Sequence, residues 1–283
     1  MTYITYPAAT LGARIATGAT AFIAAALFST VASATPVLDT YIGGVANFGG
    51  VDVIGHAAEF DIISMDAHRV GDRLRVVVKT NFAGQSGHYA AYTKNGKGIG
   101  YGDLFLADAW QPFGVGPGYL LDTATTGTHW RYGFALNDSV AASDRYHDAG
   151  GTGFLYALNG ATNDADDLIS DDFIKNAIWR NNQVVAVDLA APTIQRLGAG
   201  TWAVDAGAHT VSFDIDLTGT TLLDDNTLAL HWAMLCANDV IEGRVSVPVP
   251  ERQITSVPAP ETASLLGVGA LALLVVRRKR AKR

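Results

Sequence analysis

The chain has 283 residues, 49% of them apolar, with 20 basic and 27 acidic side chains and a formal charge of −7. That composition supplies a packed core and excludes an intrinsically disordered chain, while the acidic balance excludes nucleic acid as a partner, since phosphate binding needs a cationic footprint. A lone cysteine, Cys236, excludes an intramolecular disulfide framework.

From the N-terminus, Ile15 to Leu27 is apolar and alanine-rich, Arg14 precedes it, and Ala32-Ser33-Ala34 follows as an A-x-A cleavage pattern. Residues 1–34 are therefore expected to be a secretory signal peptide cut after Ala34. The stretch ahead of the apolar run is long and carries a single side-chain cation, which leaves a later start or an uncleaved anchor as alternatives.

Residues 35–247 read as strands and turns. In His209 to Leu217, Val211, Phe213, Ile215 and Leu217 alternate with Ser212, Asp214 and Asp216, the period of a half-buried strand. Similar runs are Glu59 to Met65, Leu74 to Phe82, Asp103 to Ala107, Trp130 to Leu136, Gly153 to Leu158, Gln183 to Leu189 and Thr227 to Leu235. Gly71-Asp72, Asn95 to Gly102, Gly114 to Gly118, Asn159-Gly160 and Gly219 supply the turns between them. A short helix is expected over Asp166 to Trp179, and a hairpin turn at Asp224-Asp225-Asn226. The pattern predicts an all-β domain, a two-sheet sandwich of jelly-roll-like form.

Catalytic spacings are missing from it. Gly84-Gln85-Ser86-Gly87 is not a nucleophile elbow, none of the seven histidines stands in an H-E-x-x-H arrangement, and Tyr101 breaks the dinucleotide fingerprint that Gly96, Gly98 and Gly100 begin. Oxygen ligands do cluster in two places. Asp164, Asp166 and Asp167 form an acidic run that suits calcium, though without the turn glycine and terminal glutamate of an EF-hand loop; equally, Asp166 and Asp167 suit a helix N-terminus. Asn238, Asp239 and Glu242 follow the strand His231 to Leu235 into a turn, where their oxygens either cap backbone amides or ligate a cation at the sandwich rim. Trp130, Trp232 and Cys236 lie among core-type residues and are expected to be buried.

Residues 248–260 are proline-rich and extended, a stiff stalk. Val257-Pro258-Ala259-Pro260-Glu261 then leads into an uncharged run from Thr262 to Val276, closed by Arg277, Arg278, Lys279 and Arg280. As a helix that run rises about 22 Å, short of the roughly 30 Å hydrocarbon core, and the cations hold its far end in the cytoplasm. This order resembles the PEP-CTERM sorting signal of exosortase-dependent surface proteins, although Ala259 replaces the usual glutamate and the carboxylate stands at Glu261. The segments around Gly102-Asp103-Leu104, Trp130-Arg131-Tyr132 and His231 to Gly243 are also similar to parts of such proteins.

The resemblance implies a transmembrane sorting helix over residues 261–283, exosortase as partner, transient residence in the inner membrane through that helix, and a final place in the medium or on the surface of a Gram-negative cell. Setting aside Arg14, the six tail cations and Glu261 leaves 13 basic and 26 acidic side chains, an exported domain near −13. The expected function is a non-catalytic surface or exopolysaccharide-matrix protein, with carbohydrate or calcium as its open ligand classes. The alternative is a glycan hydrolase or lyase on a jelly-roll scaffold, using two carboxylates roughly 5 to 10 Å apart.

Overall fold

The structure, a computed structural model, describes residues 35–44, 50–116, 118–137, 144–159, 167–170, 173–175, 180 and 182–249. The expected signal peptide with Ala32 and Ala34, the expected sorting motif Val257 to Glu261 and helix over residues 261–283, the cations Arg277 to Arg280, and Asp164 and Asp166 lie outside those residues. Among the described residues no helix is long and apolar enough to cross a membrane.

The strands in chain order are β1 (Val37–Leu38), β2 (Ile62–Val70), β3 (Arg73–Thr80), β4 (Leu104–Ala107), β5 (Tyr132–Leu136), β6 (Gly151–Ala157), β7 (Leu168–Ser170), β8 (Val184–Val187), β9 (Gln195–Asp205), β10 (Thr210–Asp216), β11 (Thr227–Ala233) and β12 (Val240–Ser246). One turn of helix, α1 (Ala57–Phe60), precedes β2. The expectation of an all-β domain holds. Ten of the strands form a single antiparallel sheet in the order β1-β2-β3-β10-β9-β6-β5-β4-β11-β12, and β7 and β8 make a separate hairpin.

Alternation builds the inner face. Met65, Val78 and Val211 stand in one row across β2, β3 and β10, and Ala67, Val76 and Phe213 in the next; every one of these side chains is buried. The turn at Gly71-Asp72 joins β2 to β3 as expected, with Gly71 at a φ of +59°. Where two separate sheets were expected, one continuous sheet curls around a common core drawn from β2, β3, β4, β5, β6, β9, β10, β11 and β12. The physical reason is that β9 and β10 insert between β3 and β6, so hydrogen bonding never breaks between the two halves.

The outer face of the central strands is covered as well. Val184 and Val187 of β8 pack with Phe105, Ala135 and Ala229, so β4, β5 and β11 are buried on both sides. The helix expected over Asp166 to Trp179 is not formed where the chain is described: Leu168–Ser170 pairs with β8 instead, and Ile174 bridges Thr93. Asp224 to Asn226 is no hairpin turn either. It follows a 3-10 turn at Thr221–Asp224 and connects β10 to β11, which pair with different neighbours. Arg69 secures that crossing by donating to the carbonyls of Leu222, Leu223 and Asp225.

Candidate functional site

The two ends of the sheet approach each other. Val37 of β1 lies against Gly243 of β12, where a Cβ would sit 2.6 Å from Val37 Cγ1. No ladder joins the two strands; side chains close the seam instead. Asp239, just ahead of β12, accepts from Ile62 N at 2.6 Å and from Val240 N at 2.9 Å, and the Asn238 carbonyl accepts from Ile54 N at 2.8 Å. One of the two roles expected for Asp239, capping backbone amides, is thereby observed.

Asp39 and Asp52 come to the same place. One carboxylate oxygen from each of Asp39, Asp52 and Asp239 lies within 4.8 Å of the others. Both oxygens of Asp39 are buried without a hydrogen-bond partner, and so is Asn238 Oδ1. The Arg180 guanidinium braces the cluster from the side, donating to the main-chain oxygens of Val51, Asp52 and Asn238. Burial raises the pKa of Asp39 well above the usual carboxylate range, and the charges of Asp239 and Asp52 add to it. Burial likewise raises Asp239, against the lowering effect of its bond from Ile62, and raises the more exposed Asp52.

Beside this cluster opens a cleft of about 270 Å³, lined by Phe60, Tyr89, Tyr92, His56 and Asn238, with Gly55, two isoleucines and the Cys236 thiol completing it. Tyr89 holds a φ of +63°, a left-handed conformation that bulky side chains rarely take. Its hydroxyl donates to the Glu59 carboxylate, and its ring stands 5.8 Å from Phe60 and 6.4 Å from Tyr92. Tyr92 remains 52% exposed and Tyr89 37%. Among the described residues the lining carries no acidic side chain, with Glu59 next to it on the Tyr89 hydroxyl. Cys236 is buried, as expected, and burial pushes its thiol up to about 12.

Glu242 does not join Asp239. Across the β11–β12 pair it faces His231, whose Nδ1 is 3.1 Å from Glu242 Oε2, while Glu242 Oε1 accepts from Trp110 Nε1 and Thr128 Oγ1, each at 2.9 Å. His231 Nε2 meets the Val184 carbonyl at 2.8 Å. Both carboxylate oxygens of Glu242 are thus engaged inside the fold, which removes it from the expected ligand set. Asp167 is 4% exposed and accepts from the Thr193 hydroxyl. Trp130 and Trp232 are both buried, and Trp232 Nε1 donates to the Gly102 carbonyl.

Sequence reasoning found Asn238 and Asp239 but not Asp39, Asp52 or Arg180. Compared with known proteins, the chain matches no family model, no curated protein and no solved structure.

Proposed function

We propose that this chain is an exported, exosortase-processed protein of a Gram-negative surface or matrix, whose β domain holds a sugar unit of the exopolysaccharide without catalysing its cleavage. The signal peptide, the PEP-CTERM-like tail and its membrane helix supply the route. The observation that carries the binding role is the cleft in which the partly exposed Tyr89 and Tyr92 line one space with His56 and Asn238. A sugar ring offers C–H faces to aromatic carbon and hydroxyls to flanking polar groups, and this lining meets both needs. The cleft lies just under the roughly 300–1,000 Å³ of sites for drug-sized ligands, a size suited to a single unit of a chain.

The test uses purified protein and exopolysaccharide from a strain that carries an exosortase. Retention of the native protein on immobilised polysaccharide, lost in Tyr92→Ala with the far-UV spectrum unchanged, supports the reading. Equal retention of both proteins, or release of reducing ends by the native one, overturns it.

A further inference from the structure

We propose that the carboxylates of Asp39, Asp52 and Asp239 bind one divalent cation of calcium chemistry where the two ends of the sheet meet. Clustering of acids is common on surfaces, but here two of the three groups are inside the protein. Asp239 is fully buried, and both carboxylate oxygens of Asp39 are shut away with no donor. A buried carboxylate without a partner is costly, and native folds leave few such groups. The neighbouring Asn238 is 7% exposed, and its Oδ1 is equally unpartnered.

Charge and geometry agree on the occupant. Once an ion has displaced their protons, three carboxylates against the single guanidinium of Arg180 leave a formal −2, the charge one divalent ion neutralises. Arg180 cannot fill the place itself, because its Nη atoms are committed to the main-chain oxygens of Val51, Asp52 and Asn238. Oxygens on opposite sides of a calcium ion, at about 2.3–2.6 Å each, stand up to about 5.2 Å apart, and the 4.8 Å span of the cluster fits within that. The set is all oxygen, with neither thiolate nor imidazole in it, which disfavours zinc. Asp52 is exposed, so water completes the shell from that side.

Such an ion would join three segments that the hydrogen-bond ladder leaves apart: the end of β1, the loop before α1 and the start of β12. The same loop carries Gly55 and His56 into the aromatic cleft. The inference goes beyond the sugar-binding reading, and its test needs no glycan.

The experiment is calorimetric titration of the purified full chain, stripped with chelator and then dialysed, with calcium chloride as the probe, alongside melting curves. The expected result is one calcium per chain and a higher melting temperature when saturated. Asp39→Asn and Asp52→Asn are each expected to weaken binding more than about tenfold, as loss of groups at a metal site does. Asp39→Asn should also melt no lower than the native protein in calcium-free buffer, because it removes one of three like-charged groups held within 4.8 Å of one another. Absence of binding by the native protein up to ~10 mM calcium, above the range of extracellular calcium modules, overturns the proposal. So does undiminished binding by both variants, which would place the ion at another acidic cluster.

Discussion

Arg145 and Asp103 show what a buried ion pair does for this fold at the level of single residues. Neither side chain has any exposure, and Arg145 Nη2 meets Asp103 Oδ1 at 3.0 Å. Asp103 also accepts from Leu136 N and Val187 N, each at 2.8 Å, while Arg145 donates to the Leu136 and Tyr101 carbonyls. The pair therefore ties β5, β8 and the loop before β4 together. Replacing Arg145 alone strands a carboxylate in the core, so Arg145→Met is expected to cost about 3–5 kcal/mol in urea unfolding. Asp103→Leu combined with Arg145→Met is expected to cost less than the sum of the two single changes, because the uncompensated charge is gone while the backbone groups both side chains served still lose their partners. Asp122 gives a pH signature of the opposite kind. It is buried, and burial, helped by the nearby Glu242 charge, raises its pKa from 3.8 to about 7. The folded state thus keeps a proton that the unfolded chain gives up. The stability this group contributes is full below about pH 4, falls as pH rises toward 7, and is flat above that. Asp122→Asn lacks the titration, so the urea midpoint of the native protein should fall further than that of the variant between pH 4.5 and pH 7.5. Parallel curves would rule the carboxylate out as the source.

At the level of elements, glycines explain both a close contact and a misreading. Gly153 on β6 pairs with Gly200 on β9, and the Phe134 ring of β5 fills the space both leave open. That ring then meets Phe213 edge-on at 6.3 Å. A methyl at Gly153 would sit 2.3 Å from Phe134 Cζ, whereas one at Gly200 would first meet the Asp214 main-chain oxygen. Gly153→Ala is therefore expected to destabilise by about 1–3 kcal/mol in thermal melts, and Phe134→Leu in the same chain to recover part of the loss. If the second change added a full cavity cost instead, the clash would not be the cause. The same glycines hide β9 from sequence reading, since Gly198 and Gly200 look like turn residues inside an eleven-residue strand. β12 is hidden for another reason: its first four residues are all buried, so Glu242 and Gly243 break any alternation, and the Glu242 charge is answered by His231, Trp110 and Thr128 from other segments. Strands with one wet face, β3 and β10, were legible because their period of two survives, whereas the run expected over Glu59 to Met65 begins inside α1 and stops at the fourth of the nine residues of β2. The acidic cluster was half legible. Asn238 and Asp239 stand in a polar turn after an apolar strand, whereas Asp39 and Asp52 are isolated acids whose meeting depends on the curl of the whole sheet.

The curl sets what the molecule as a whole has to accomplish. A ten-stranded sheet whose ends meet through Asp239 and Val37 leaves a two-residue edge strand at β1 and keeps little pairing surface open to other chains. For the function proposed above that would suit a domain released into a crowded matrix, provided that the apolar tail is removed first. The tail argues for removal on length alone: its uncharged run, Thr262 to Val276, spans about 22 Å as a helix against a core of roughly 30 Å, a weak anchor unless cations pin it. For the processing proposed above, Arg277, Arg278, Lys279 and Arg280 would be those pins, and Pro258 and Pro260, which disfavour helix, would present the chain for cutting ahead of them. Replacing the four cations with glutamine is therefore expected to abolish processing while leaving the domain folded, read as an unchanged near-UV spectrum. In cells with an exosortase, mass spectrometry of the native released protein should find no peptide beyond Val276, and the variant should retain its C-terminus. Native material released with Arg277 to Arg283 still attached would mean that the tail is an ordinary anchor, and the surface assignment would then lose its footing while the calcium and sugar sites stood or fell on their own tests.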